Sequence, residues 1–233
     1  MKLTVVNGSP RGKGSNTTVL LDHFLAGFDE TPGNSHETIY LIRESGRGEA
    51  VAAFAAAEAV LLAFPLYTDA MPGIVKEFIE GLAPCKGREG NPKLLFLVQS
   101  GFPEGSHAGE IIPYLTKLAA RLGCAYGGTI RKGGVEGIQS QPVFMTRSLF
   151  NGFRRLGQGF GVTGGLDEGL LSTMAGRERL SKLSLIAAGK ISELLYWNPQ
   201  LRKNGVFEQR FARPYAKELV KEPRTRSEEF KAP

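Results

Sequence analysis

The sequence predicts an α/β fold in which a doubly wound, five-stranded parallel sheet is covered by helices. Strand-like apolar segments recur along roughly the first 130 residues, and segments with helical periodicity lie between them. Such alternation is typical of a parallel sheet with helices on both faces. Two of the strand segments, AVLLAF and KLLFLVQ, are apolar almost throughout. Strands buried on both faces have this composition, so these two are predicted to be central.

The individual elements follow from the same patterns. Strands are predicted at residues 3–6, 38–42, 60–64, 94–98 and 125–130. The apolar stretch 50–66 is predicted to contain a short helix followed by the third strand. Three further helices each present one apolar stripe at helical spacing. The stripes consist of Leu21, Phe24, Leu25 and Phe28, of Val75, Phe78, Ile79 and Leu82, and of Ile111, Leu115, Leu118 and Leu122.

The chain after about residue 135 is longer than a minimal doubly wound domain requires. Residues 141–157 have a helical apolar pattern, GQGFGVTGG at 157–165 predicts a turn, and a further helix is predicted to about residue 195. We therefore predict one domain over residues 1–195, with the helical addition from about 136. Residues 196–233 are polar and contain several prolines, which predicts an extension that wraps the surface or a partner subunit.

The added helix also predicts a homodimer. Residues 144–156 carry more large apolar side chains than a surface stripe needs, if earlier helices already cover both faces of the sheet. Residues 157–165 would then form a mobile cover over a ligand site of the protein. In the alternative, Phe150, Phe153 and Leu156 pack back on their own sheet and complete a monomeric core.

Composition excludes several classes of function. Charged residues make up 22% and the net charge is +6, so phosphate-bearing ligands are favoured without being identified. Basic and aromatic residues do not interleave in a nucleic-acid-binding pattern, and we expect no nucleic-acid partner. Cys85 and Cys124 have no neighbours at metal-ligand spacing, so we expect no metal site. Glu58 interrupts the longest apolar run and residues 1–10 lack a signal-peptide pattern, so we expect a cytoplasmic protein with no membrane partner.

A candidate phosphate site follows the first strand. The segment NGSPRGKGSNTT, residues 7–18, is rich in glycine and hydroxyl groups and leads directly into a helix. Free backbone amides and the positive end of a helix dipole make such a segment an anion site. Its glycine spacing fits neither the Walker loop nor the dinucleotide fingerprint, which favours a terminal phosphate monoester. The plainer interpretation is that Ser15 or Asn16 caps the helix and the rest is an ordinary loop.

A second motif follows the third strand. Residues 64–79 read FPLYTDAMPGIVKEFI. Together with NGSPRGKGSNT at 7–17, this segment resembles the NAD(P)H-dependent FMN reductases of the flavodoxin-like superfamily. The resemblance covers roughly the first 130 residues. It implies a flavodoxin-like fold, flavin mononucleotide (FMN) as the cofactor and NADPH or NADH as the co-substrate.

Site residues follow from the resemblance by position. The ribityl phosphate would be held by Ser9, Arg11, Ser15, Asn16 and Thr17. The isoalloxazine ring would be bordered by Pro65, Leu66, Tyr67, Thr68 and Met71. A third wall would come from Gln99, Ser100, Gly101 and Phe102. Arg11 could equally contact the nicotinamide cofactor, and His107 lies close enough to the third loop to matter.

The implied activity is transfer of a hydride from NAD(P)H to FMN, followed by transfer of electrons to a small acceptor. A quinone, free flavin, an azo- or nitro-aromatic or a metal ion each needs only access to the ring edge. No catalytic acid or base is required, because the flavin carries the chemistry. One alternative is a non-catalytic electron carrier of the flavodoxin type, and another is a structural or regulatory protein that retains the fold without flavin.

Overall fold

The computed structural model describes residues 1–176 and 178–213. The chain divides into two compact units, Met1–Leu180 and Ser181–Pro233. The first unit contains the sheet and all of the candidate site residues. The domain boundary near residue 195 stays a prediction, and the predicted wrapping role of residues 196–233 falls partly outside the described residues.

All five predicted strands are present and pair in parallel in the order β2-β1-β3-β4-β5. This is the flavodoxin-like order, in which the winding reverses between β1 and β3. The two central strand segments are buried as their composition predicts. The strands are β1 Lys2–Asn7, β2 Ser35–Tyr40, β3 Ala59–Pro65, β4 Lys93–Gln99 and β5 Tyr126–Lys132.

Strand β2 begins three residues earlier than the sequence predicts. Ser35 pairs with Lys2, and the register runs on to Tyr40 beside Asn7. The first residues of β2 are polar and exposed because β2 is an edge strand, so they carry no apolar signal. Their position follows from pairing with β1 alone.

The predicted helices cover the two faces of the sheet unequally. Helices α2, Gly46–Ala56, α3, Gly73–Gly81, and α4, Ile111–Leu122, pack on one face. On the other face lie α1, Asn16–Phe28, and α5, Val143–Thr163. The predicted apolar stripes are the surfaces through which α1, α3 and α4 contact the sheet.

Helix α5 corrects two of the predictions. It runs through the glycine-rich segment 157–165 almost to its end, so that segment is neither a turn nor a mobile cover. Phe153, Leu156 and Phe160 are fully buried against the sheet with α1. The assumption that earlier helices cover both faces is therefore wrong, and the alternative of a core-completing helix is correct for these residues.

Glycines let α1 and α5 touch backbone to backbone. A Cβ atom on Gly157 would lie 1.8 Å from the Phe24 carbonyl oxygen, and one on Gly27 would lie 1.9 Å from the Arg154 carbonyl oxygen. A Cβ on Gly161 would lie 2.9 Å from the Phe28 carbonyl oxygen. The segment that looked like a loop is thus a tight helix contact, because only glycine permits this approach.

The remaining elements are helical. Helix α6, Glu168–Ala175, ends the first unit's secondary structure, so the single further helix predicted to residue 195 is wrong. In the second unit, α7, Lys182–Ser192, continues through a π-helical turn, Glu193–Trp197, into α8, Asn198–Lys203. Among the described residues, none of the helices combines the length and apolar character that a membrane crossing requires.

Alanine at Gly157 tests the helix contact. We expect Gly157→Ala to destabilise the fold by about 1–3 kcal/mol or more, because its methyl group overlaps the Phe24 carbonyl. The matched control is Gly159→Ala on the same helix, where a Cβ meets nothing within 4 Å. Helix propensity predicts that this control stabilises by about 0.5–1 kcal/mol. Urea unfolding measures both, and equal stabilities for the two variants would contradict the contact.

Candidate functional site

Three loops meet where the winding of the sheet reverses. The Gly8 N–H, after β1, donates to the Ala63 carbonyl of β3 at 2.7 Å. The Leu66 N–H, after β3, donates to the Gln99 carbonyl of β4 at 2.8 Å. These bonds join the carboxyl ends of β1, β3 and β4 into one surface. Doubly wound sheets bind ligands at this place.

The loop after β1 is braced from within. Fully buried Asn7 accepts a hydrogen bond from the Ser9 N–H at 3.0 Å and donates to Thr18 Oγ1 at 3.0 Å. The Thr18 hydroxyl in turn donates to the Gly12 carbonyl at 3.0 Å. Gly12 has φ +55°, which favours glycine. The loop conformation is therefore held by protein groups before any ligand binds.

The start of α1 offers unpaired donors at this loop. Ser15 caps the helix, and its Oγ accepts from the Thr18 N–H at 3.1 Å. The N–H groups of Asn16 and Thr17 donate to no other group of the described chain. Two free N–H groups at the positive end of a 13-residue helix are suited to bind an anion. The capping interpretation is confirmed for Ser15, and the cap orders the free donors. The phosphate-site interpretation stays a prediction.

Two hydroxyls keep a hydrogen to donate to a ligand. Thr17 Oγ1 accepts from Gln99 Nε2 at 3.1 Å, and Ser9 Oγ accepts from the Arg11 N–H at 3.4 Å. A hydroxyl that accepts still carries one donor. Gln99, predicted as part of a wall, thus also orients Thr17 across the site.

The side chain of Asn16 is engaged elsewhere. Its Nδ2 donates to the Val135 carbonyl at 2.8 Å, and its Oδ1 accepts from Gln139 Nε2 at 2.8 Å. These two bonds direct the side chain towards Val135 and Gln139, and the backbone N–H of Asn16 stays free at the helix start.

Sequence reasoning missed Gln139, because its partners Gly14 and Asn16 lie 125 and 123 residues away. It included Asn7 in the loop motif but not the bracing contacts that Asn7 makes to Ser9 and Thr18. Arg11 is exposed at the rim, where it can reach either a phosphate or a second ligand.

The loop after β3 has a buried beginning and an exposed tip. Pro65 and Leu66 are buried, and Met71 packs at the edge of the core. Tyr67 is 49% exposed, so one side of its ring is free for a ligand. Between them, the Tyr67 and Ala70 N–H groups each donate to the other residue's carbonyl at 2.9 and 3.1 Å, which closes a two-residue turn at residues 68–69.

The loop after β4 forms the opposite side. The Ser100 N–H donates to the Lys132 carbonyl at 3.0 Å, and Ser100 Oγ donates to the Phe102 carbonyl at 3.2 Å. Gly101 lies beside Glu136. Phe102 is 59% exposed. Tyr67 and Phe102 therefore supply exposed aromatic rings on the two loops that border the anion site.

Burial shifts the pKa values of two titratable groups on and just before β5. Burial lowers the pKa of Lys132, at the end of β5, and its Nζ donates to the Met174 carbonyl at 3.3 Å. Burial also raises the pKa of the Cys124 thiol to about 11, with Cys85 adding to the shift. Cys124 is therefore protonated at neutral pH.

The predicted site residues therefore assemble as one surface. The loop after β1 provides donors for a phosphate, and the loops after β3 and β4 provide aromatic side chains beside it. A ligand that fits this arrangement carries a terminal phosphate and a flat, partly apolar ring.

Solved structures share this fold. An azoreductase from Bacillus anthracis strain Sterne superposes with a TM-score of 0.54 at 15% identity, covering 69% of this chain and 100% of that one. An FMN-dependent NADH-azoreductase from Bacillus anthracis strain Ames Ancestor, in complex with FMN, gives 0.53 at 14% identity and covers 69% and 99%. An NAD(P)H:quinone oxidoreductase from Methanothermobacter marburgensis gives 0.51 at 15% identity and covers 69% and 96%. At such identities the likeness establishes the fold.

Sequence comparison gives a narrower result. None of the curated proteins matches this sequence. A family model described as flavodoxin-like fold matches residues 1–145, which is more than half of the chain and includes all three loops of the site. The chain therefore belongs to the flavodoxin-like fold family.

Proposed function

We propose that this protein binds FMN and is an NAD(P)H-dependent oxidoreductase that passes electrons to a small acceptor. The observation that carries the proposal is the joined surface of three loops, with free helix-start N–H groups beside exposed aromatic rings. A monophosphate with a planar ring matches both halves of that surface. FMN supplies hydride and electron transfer chemistry when it is bound.

The chain's own residues bind and orient in this proposal. The Asn16 and Thr17 N–H groups and the hydroxyls of Ser9 and Thr17 hold the phosphate. Ser15 keeps the helix start in place. These donors suit a phosphate because hydrogen bonds to a charged group are stronger than neutral ones.

The ring lies against residues of the other two loops. Pro65, Leu66 and Met71 form its apolar border, while Ser100 and Gly101 leave room on the opposite side. Tyr67 and Phe102 flank the open edge, which a nicotinamide and then an acceptor can reach in turn. No side chain of the site has to act as an acid or base.

The similar solved structures support this activity class. They include an FMN-dependent NADH-azoreductase and an NAD(P)H:quinone oxidoreductase. The acceptor classes compatible with an open ring edge are quinones, free flavin, azo- and nitro-aromatics and metal ions. The cytoplasmic location stays a prediction.

The visible spectrum tests the function. We expect purified protein, loaded with FMN where necessary, to show flavin absorption that bleaches on anaerobic addition of NADPH or NADH. Mass spectrometry of the released cofactor should give FMN, because the loop suits a terminal monoester; FAD would contradict that assignment. Bound FMN that only chemical reductants bleach would favour the electron carrier. Protein that stays colourless after reconstitution would favour a role without flavin.

Replacing Thr17 tests the phosphate assignment. We expect Thr17→Val to weaken FMN binding about 10- to 100-fold, because one hydrogen bond to a charged group is lost. The matched control is Thr4→Val on β1. It removes another buried threonine hydroxyl, which donates to Glu37 Oε1 at 3.0 Å. Flavin fluorescence quenching gives both dissociation constants. Equal constants for the two variants would place the phosphate elsewhere.

We also propose that the protein is a homodimer. The buried part of α5 belongs to the core and no longer supports a dimer. The remaining support is the first turn of α5, where Val143, Phe144 and Met145 are exposed. That turn lies near the phosphate loop, because the Gln139 side chain donates to the Gly14 carbonyl at 3.2 Å. Light scattering at micromolar concentration should give twice the chain mass, and Phe144→Glu should give the monomer. A monomeric wild type with full turnover would contradict the dimer.

A further inference from the structure

One imidazole lies between the two loops that border the predicted ring site. His107 Nδ1 is 3.4 Å from Asp69 Oδ1, in the turn after β3, and its Nε2 is 3.8 Å from Glu104 Oε2, in the loop after β4. The ring also stacks on Phe102 with centroids 4.6 Å apart. His107 belongs to the loop after β4, so its contact with Asp69 joins that loop to the turn after β3.

We propose that His107 is a positioning residue that clamps these loops together and thereby supports flavin binding. The proposal rests on the proposed function for its second half only. The clamp itself is a property of the chain without ligand. His107 acts through Asp69 and Phe102 and does not have to touch the flavin.

The turn after β3 needs such a support. Thr68 has φ +50° and Asp69 has φ +61°. Residues with side chains rarely adopt this region, and a β-branched residue there is an outlier that its surroundings must hold in place. The two backbone bonds between Tyr67 and Ala70 close the turn but leave its tip exposed. The ion pair to His107 is the side-chain contact described at that tip.

The two carboxylates that face the imidazole have different parts in the clamp. Glu104 and His107 lie in the same loop, so their contact orients the imidazole within the loop after β4. Asp69 lies in the turn after β3, so the pair between His107 and Asp69 is the one that joins the two loops.

The other charged groups around His107 have partners of their own. Glu104 Oε1 accepts from the Leu180 N–H at 2.7 Å, which leaves Oε2 to face the imidazole. On β5, Arg131 donates to the Gly105 carbonyl at 3.4 Å and pairs with Glu178. The local balance around the imidazole is two carboxylates against a guanidinium that is already paired.

The stack on Phe102 extends the clamp to an exposed ring. A side chain that is 59% exposed has little packing to fix its rotamer. Contact with the imidazole orients Phe102 towards one side of its loop. Loss of His107 therefore releases both the turn at Asp69 and the aromatic ring on the opposite loop.

Amide hydrogen exchange tests the clamp without flavin. In the flavin-free, full-length chain, we expect His107→Ala to lower the protection of the Ala70 N–H at least about fivefold, since the contact that holds the tip of the turn is lost. The matched control is His36→Ala, which breaks a His–Asp pair of 3.0 Å to Asp29 far from the site. Unchanged Ala70 protection in His107→Ala would overturn the proposal, whatever the protein does with flavin.

FMN binding at one pH tests the functional half. We expect His107→Ala to raise the dissociation constant for FMN about fivefold, because the turn beside the ring is no longer held. His107→Gln retains a donor towards Asp69 and should restore most of the affinity. Equal constants for the wild type and His107→Ala would overturn the proposal. Reduced Ala70 protection in a protein that binds no FMN would support the clamp and contradict the proposed function instead.

Discussion

The backbone contact between α1 and α5 determines both the core and the position of the candidate site. Glycine at 27, 157 and 161 lets the helices approach until carbonyl oxygens of one meet Cα atoms of the other. This approach seals the face of the sheet that α1 alone cannot cover, with Phe24 and Phe160 buried between the helices. It also brings the segment before α5 against the start of α1, where Val135 and Gln139 bond to Asn16. A wider spacing between α1 and α5 would expose the core. It would also remove the contacts that support the start of α1.

Much of the fold was predictable because its signals are local. Continuous apolar runs identify β3 and β4 as central strands, and helical spacing identifies the inner faces of α1, α3 and α4. The errors arise where tertiary contacts decide. Edge strand β2 begins with polar residues that only pairing with β1 places. The glycines of 157–165 have the composition of a loop, yet they are helical because a neighbouring helix needs their missing side chains.

The site was predictable at the level of loops and less so at the level of atoms. Strand ends in a parallel sheet share one edge, so the three loops had to converge. The hydrogen bonds of their side chains, however, are made to partners that are distant in sequence. Asn16 bonds across 119 residues to Val135, and Gln99 orients Thr17 across 82. The positive φ at Thr68 and Asp69 and their link to His107 follow no local rule, because glycine would be the expected residue in such a turn.

The central claim is that the loop after β1 and the start of α1 bind the phosphate of a flavin. Comparing FMN with riboflavin, which lacks that phosphate, tests it most directly by flavin fluorescence quenching in the same full-length protein. With several hydrogen bonds to a charged group at stake, each worth about 1.5–3 kcal/mol, FMN should bind more than about 100-fold more tightly than riboflavin. Equal affinities for FMN and riboflavin would contradict the account, because the donors at Ser9, Asn16 and Thr17 would then have no phosphate to hold.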